Sequence, residues 1–269
     1  MSSFFSNKVV AITGGTDGIG KALVDAMIKA GARVATCARS HDKIYNLQLE
    51  YTHVLMHAIV CDVSKELECQ RFINSTLEIF GGIDILINNA GISMHALVND
   101  LDVDVIRKVM DTNFYGSVYC TKFALPSLLD RKGTIVGVSS IAGYRGLPGR
   151  SGYSASKFAL QGWLESLRTE LLEKDVHVMW VCPGFTTSNI RRAALNEEGQ
   201  SQGESPMDES GMMSAAECAH HILDAISKKK RTLVLTFTGK RTVFMNKFFP
   251  GLADKFAYKY FFKNGKLVK

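Results

Sequence analysis

Short, densely apolar runs alternate along this chain with longer stretches that are apolar on one face only. Lys8 to Thr13 (KVVAIT) is a β-branched run, which predicts a strand. The residues after it place Ile19, Leu23, Met27 and Ala30 near one face, predicting a helix that stops at Gly31. The alternation continues with strands expected at 33–38, 54–61, 84–88, 134–140, 176–182 and 232–237. Helices are expected at 64–80, within 101–131, at 152–173 and at 214–229. The inner strands (ILIN, TIVGVSS, VHVMWVC) are continuously apolar, as strands covered on both faces are. Strands and helices alternating at these lengths predict an α/β fold, a doubly wound parallel β-sheet in a single domain.

Two segments break the rhythm. Residues 183–213 show no clear periodicity, and 196–206 are rich in Gly, Ser, Gln and Glu. A loop of that length following a strand's carboxyl end predicts a substrate lid. The other break is residues 240–269, with 8 of the chain's 25 aromatics. Beyond Pro250-Gly251, Leu252, Phe256 and Tyr260 recur every four residues, with Lys255, Lys259 and Lys266 beside them; Tyr258, Phe261 and Phe262 fall off the stripe. The expected organisation is a domain over 1–239 and a basic aromatic extension over 240–269.

The charge follows this division. Residues 240–269 hold 8 Lys/Arg and one acid, Asp254, whereas the other 239 residues hold 24 basic and 25 acidic groups. A neutral body offers no general surface for nucleic acid. The 269 residues, 46% hydrophobic and 22% charged, suit one globular core. No apolar run approaches a membrane span, and Met1 to Asn7 leaves little room for a secretory signal before the first strand. Six cysteines (37, 61, 69, 120, 182, 218) show no ligand spacing and lie mostly in apolar runs, predicting buried reduced thiols in a cytoplasmic protein. His53 and His57 are four apart in a segment that reads as a strand, so no metal site is expected.

The chemistry begins at the first strand–turn–helix. Gly14, Gly18 and Gly20, with Thr16, Asp17 and Ile19 between them, form a turn whose backbone can approach a pyrophosphate at a helix N-terminus. At the end of the second strand stand Arg39 and Ser40, with no acid until Asp42. A carboxylate there would bond a ribose 2′-hydroxyl, whereas Arg39 suits a 2′-phosphate, so NADP(H) is expected over NAD(H). Tyr153 and Lys157 are four apart and share a helix face; an ammonium near a phenol lowers its pKa, and Ser140 is placed to bond the same substrate oxygen.

Thr13-Gly14-x-x-x-Gly18-Ile19-Gly20, Asn88-Asn89-Ala90-Gly91, Asn113, Ser140, Tyr153-x-x-x-Lys157 and Pro183-Gly184 occur in order. Together, over roughly residues 5 to 237, they resemble the short-chain dehydrogenase/reductase family with its Rossmann-like fold. The resemblance implies that Tyr153 is the general acid/base and that Lys157 holds the nicotinamide ribose and lowers the Tyr153 pKa. Ser140 would orient the carbonyl, and Asn113 would hold a water linking Lys157 to solvent. Asp62 and Val63 would meet the adenine; Asn89, Ala90 and Gly91 would pack by its ribose; and Pro183, Gly184 and Thr186 to Ser188 would hold the carboxamide. Ser188 stands where the family often has threonine, and it keeps the hydroxyl. The enoyl-reductase branch spaces its tyrosine and lysine further apart, so carbonyl reduction or alcohol oxidation is implied.

The substrate-facing set expected is Ser140, Met94, His95, Tyr144, Leu147 and Phe185, joined by lid residues such as Met207, Met212 and Met213. It is mostly apolar and suits an uncharged hydrophobic, lipid-, steroid- or acyl-like carbonyl. A 3-oxoacyl thioester reductase is the alternative, and a non-catalytic dinucleotide-sensing scaffold is another; Arg191 and Arg192 read as a solvated helix end before they read as contacts to an anionic acyl carrier. The family implies a homodimer or homotetramer paired through helices 101–131 and 152–173. For the tail two placements stay open: on an anionic membrane surface, or against a subunit or the lid.

Overall fold

Neighbouring residues of one strand point to opposite faces, and here both faces are apolar. In β1 (Val9–Thr13), Val9 and Ala11 join one buried cluster while Val10 and Ile12 join another on the far side. That demand for cover on two sides explains the helices. The computed structural model describes residues 2–52, 54–205 and 207–268.

After α1 (Ser2–Phe5) and β1 come α2 (Gly18–Lys29), β2 (Arg33–Ala38), α3 (His41–Glu50), β3 (Met56–Val60), α4 (Glu66–Phe80) and β4 (Ile85–Asn88). The second half contains α5 (Val103–Met110), α6 (Gly116–Asp130), β5 (Thr134–Val138), α7 (Ser151–Glu170), β6 (His177–Cys182), α8 (Ala215–Ser227) and β7 (Thr232–Val234). The sheet order is β3-β2-β1-β4-β5-β6-β7, and every pairing within it is parallel. This is the doubly wound, Rossmann-like α/β fold expected, and its order reverses between β1 and β4, where such sheets bind ligands. Phe72, Leu128, Leu160 and Leu164 cover one face, from α4, α6 and α7; Leu23, Met27 and Ile222, from α2 and α8, cover the other.

Three local features depart from the expectation. The long helix within 101–131 is α5 and α6 joined by a π turn, Asp111–Tyr115, which the hydrophobic pattern did not foretell. The boundary expected at Gly239 falls inside α9 (Phe237–Phe248), because the Thr236 hydroxyl caps that helix by accepting the Gly239 N–H at 3.0 Å. Proline starts α10 (Pro250–Phe261), and the short strands β8 (Phe262–Lys263) and β9 (Lys266–Leu267) pair as a hairpin. Between Cys182 and Ala215 the described residues form neither helix nor strand, only isolated bridges such as Thr186 to Met213. His53 lies outside the described residues; His57 is in β3, its Nε2 2.9 Å from the Ser75 hydroxyl.

Candidate active site

The carboxyl ends of β1, β4, β5 and β6 open onto a cleft of about 430 Å³. Its walls run from the Gly14–Gly20 turn and Arg39 at one end to Ser140, Tyr153 and Lys157 at the other.

The turn is stapled from below. The Thr13 hydroxyl accepts the N–H groups of Asn89 and Ala90, both at 3.0 Å. The Asn89 amide donates to the carbonyls of Thr13 and Gly14 at 2.9 and 3.2 Å. Gly14 and Gly18 hold positive φ of 71° and 50°, which glycine adopts without strain. Asp17 caps α2 by accepting the Gly18 N–H at 2.8 Å.

At the end of β2, Arg39 and Ser40 line the rim together with Lys43, which the sequence reading missed. Lys43 is four residues beyond Arg39, and its ammonium reaches the Asp17 carboxylate at 2.6 Å. The Ser40 hydroxyl caps α3 by accepting the Lys43 N–H at 3.3 Å. After β3, Val63 and Cys61 line the cleft, whereas the Asp62 carboxylate turns back to accept the Ser64 N–H at 3.0 Å.

At the other end, strand alternation separates the two adjacent serines. The Ser139 hydroxyl faces α7, donating to the Lys157 carbonyl at 3.3 Å and accepting from Gln161 at 2.8 Å. The Ser140 hydroxyl accepts the Ala142 N–H at 3.1 Å and hydrogen-bonds the Tyr153 phenol. Lys157 is buried; its ammonium donates to the Val138 carbonyl at 2.9 Å and sits 5.6 Å from the Tyr153 ring centroid. Asn113, in the π turn, clamps Ile92 from both sides, accepting its N–H at 2.8 Å and donating to its carbonyl at 2.9 Å. It also donates to Ser156 on α7 at 2.9 Å. A side-chain carbon on Gly91 would lie 3.2 Å from the Asn113 carbonyl oxygen and 3.5 Å from the Lys157 ammonium, so this turn packs against both.

Burial moves the two groups in opposite directions. Loss of hydration pushes the Tyr153 phenol above the usual tyrosine range; the Ser140 hydrogen bond and then the Arg150 charge oppose this without overcoming it. The Lys157 ammonium donates to the Val138 carbonyl, and its own loss of hydration pulls its pKa down to about 8. A buried amine whose folded pKa lies below the ordinary lysine value destabilises the fold while charged, and that penalty is relieved as pH rises above about 8. The phenol therefore keeps its proton through neutrality, and Lys157 loses its charge first. Carbonyl reduction is expected to run at constant kcat/KM below about pH 8 and to fall above it. A pH–rate profile checks this; a rate climbing through pH 8 would contradict it.

Of the expected substrate-facing residues, Ser140, Leu147 and Phe185 line the cleft, joined by Ile190, Arg191 and Met207 from the loop over 183–213. Met94, His95 and Tyr144 do not line it. Met94 is buried with Val105 and Val109. His95 bonds Gln202 at 2.7 Å, and the Tyr144 hydroxyl accepts the Trp180 indole N–H at 3.2 Å. Arg191 ties this loop to itself: it donates to Glu209 at 2.8 Å and to the Thr186 carbonyl at 2.9 Å, and it holds the Glu209 carboxyl below its usual range. Arg150, also missed, is buried in the cleft wall, so this end is less apolar than the sequence implied. Its place three residues before Tyr153, one helical turn away, was the available signal.

A seven-stranded parallel sheet with a glycine turn at its switch point and a Ser–Tyr–Lys cluster at the same edge defines a class, and comparison with known proteins agrees. A family model described as short chain dehydrogenase matches residues 8–199. The chain belongs to the short-chain dehydrogenase/reductase family of oxidoreductases. Dehydrogenase/reductase SDR family member 7B of Mus musculus is 36% identical over 259 residues, covering 93% of this chain and 80% of that protein. An Anopheles gambiae dehydrogenase/reductase SDR family protein 7-like is 36% identical over 251 residues, covering 89% and 78%. A short chain dehydrogenase/reductase from Burkholderia phymatum, solved in complex with NAD, shares the fold with a TM-score of 0.82 at 22% identity over 92% of this chain and 95% of that one.

Proposed function

We propose that this protein is an NADP(H)-dependent oxidoreductase that interconverts a carbonyl and an alcohol on a hydrophobic substrate. The observation that carries the reading is the convergence of Ser140, Tyr153 and Lys157 in the cleft whose far end is the Gly14–Gly20 turn.

The residues fit a dinucleotide. A side-chain carbon on Gly20 would come within 2.0 Å of the Gly14 carbonyl oxygen, so only glycine keeps the turn tight enough for phosphates to meet the α2 N-terminus. The resemblance to the NAD-bound structure supports a nicotinamide dinucleotide; Arg39 and Lys43 at the end of β2 favour the 2′-phosphorylated form. The Asp17 carboxylate is already engaged by Lys43. When bound, the nicotinamide supplies or accepts the hydride. Ser140 donates to the substrate oxygen and Tyr153 delivers its proton there. Lys157 would then lie near the phenolate with its positive charge and would hold the ribose hydroxyls of the bound dinucleotide. Asn113 keeps the Ile92 backbone and α7 in register beneath this group and holds the water of the proton relay. Leu147, Phe185 and Ile190 meet the apolar part of the substrate.

Arg39→Ala is expected to raise the KM for NADPH about 10- to 100-fold while leaving that for NADH within about twofold, since a charged hydrogen bond contributes about 1.5–3 kcal/mol. Steady-state titration of both cofactors, with a panel of acyl, steroid-like, aromatic and quinone carbonyls as acceptors, reads this. Equal effects on both would remove the assignment to NADP(H). The family's homo-oligomer is expected through α5–α7, where Tyr115 and Phe158 are exposed, and the solution mass of the full chain reports it.

A further inference from the structure

The tail is fixed at the mouth of the cleft and turns an apolar, cationic face outwards. Its contacts with the body are specific. The Asn246 amide donates to the Tyr144 carbonyl at 2.7 Å, and Arg145 donates to Asn246 at 3.0 Å. Asp254, the tail's single carboxylate, pairs with Arg145 at 2.6 Å. Tyr260 stacks on the cleft residue Phe185 with centroids 6.3 Å apart, and the Arg150 guanidinium lies 5.6 Å from the Phe261 centroid. A side-chain carbon on Gly149 would meet Leu267 at 2.5 Å, so the hairpin is pressed onto the loop before α7.

The opposite face is unusual for a soluble surface. Phe244, Phe248 and Phe249 are each more than half exposed, and their rings touch, with centroids 4.8 and 6.4 Å from Phe244. Leu252 and Phe256 of the stripe that recurs every four residues are exposed as well, Tyr260 keeps an exposed edge beside Phe185, and Ala253 and Phe261 do the packing. Lys240, Arg241, Lys247, Lys255, Lys259, Lys263 and Lys266 are all exposed around them. The one acid, Asp254, is paired with Arg145 of the body.

We propose that α9 and α10 form a docking surface for an anionic lipid bilayer, with the cleft mouth at Phe185 and Tyr260 held against the headgroup layer. Aromatic rings enter the boundary while lysine heads reach acidic lipid. Each helix has 12 residues, about 18 Å, too short to cross the hydrocarbon. Charge complementarity favours this occupant over a second copy of the chain, because a symmetric interface would set two such cationic faces against each other. The inference deepens the proposed function, since a lipid-class carbonyl would then enter the cleft from the bilayer side.

The test is flotation of the full chain with vesicles of phosphatidylcholine alone or containing about 30 mol % phosphatidylserine. Two triple variants accompany it, F244S/F248S/F256S and K240E/K247E/K255E, with thermal midpoints confirming that both fold. The parent is expected to float with the anionic vesicles only, and each variant to bind at least about tenfold more weakly. Failure of the parent to bind, equal binding to neutral vesicles, or unchanged binding of both variants would overturn the proposal. So would variants that lower the solution mass of the parent while leaving vesicle binding intact, which would mark a contact between copies. Vesicle binding is read without turnover: an inactive chain that floats refutes the oxidoreductase reading alone, and an active one that never floats refutes the docking alone.

Discussion

Tyr153→Phe is expected to lower kcat/KM for carbonyl reduction by about 10²- to 10⁴-fold, the span that loss of a positioned general acid produces. That corresponds to about 2.7–5.5 kcal/mol of transition-state stabilisation. The substitution removes one oxygen and keeps the ring, which packs with the cluster around Met94, Val105 and Val109. Folding and dinucleotide affinity should therefore stay close to the parent's. Fluorescence titration with NADPH and a thermal midpoint separate those from the chemical step. The phenol holds its proton at neutral pH in this structure, so the defect should be present across the neutral range. A variant that turned over a confirmed substrate as fast as the parent would exclude Tyr153 as the acid.

Gly20→Ala is expected to damage both stability and cofactor binding. The added carbon would stand 2.0 Å from the Gly14 carbonyl oxygen and 2.5 Å from the Asn89 amide nitrogen. The first is backbone and cannot swing aside, so the β1–α2 turn must open and the Asn89 bond to Gly14 must break. Overpacking of this kind costs about 3 kcal/mol, which for a domain of this size lowers Tm by about 6–9 °C. NADPH affinity should drop about 100-fold or more, because the same displacement moves the amide donors at the α2 N-terminus. Gly162→Ala is the control: it lies in α7 with nothing within 4 Å of the new carbon. There the helix should gain about 0.5–1 kcal/mol. Scanning calorimetry and NADPH titration of both variants read the contrast, and matching behaviour would refute the close-approach account.

Much of the site was legible before any coordinates. Gly14 to Gly20 and Asn88 to Gly91 are short motifs whose spacing already says what the backbone must do. The i, i+4 spacing of Tyr153 and Lys157 sets them on one face whatever the helix packs against. Other residues were misplaced because their direction depends on partners far along the chain. Met94 reads as a pocket methionine until Val105 and Val109 cover it. Tyr144 reads the same way until Trp180 claims its hydroxyl. Arg150 and Lys43 belong to no familiar pattern and enter the cleft only because α7 and α3 begin where they do.

The extension shows the same division. Its composition, eight cations and eight aromatics in thirty residues, was plain from the sequence and announced a surface with affinity for something. Which residues face outwards was not, since the Leu252–Phe256–Tyr260 stripe lies on the open side of α10.

What the sequence determined by itself is the parallel sheet, its helical cover, the glycine turn and the Ser–Tyr–Lys set, because each is encoded in periodicity or spacing within one or two neighbouring elements. What only the tertiary structure decided is the π turn that presents Asn113, the aim of Lys157 at Val138, and the seating of the tail on the cleft. Those rest on contacts such as Arg145 to Asn246, 101 residues apart, where the packing of whole elements selects the partner.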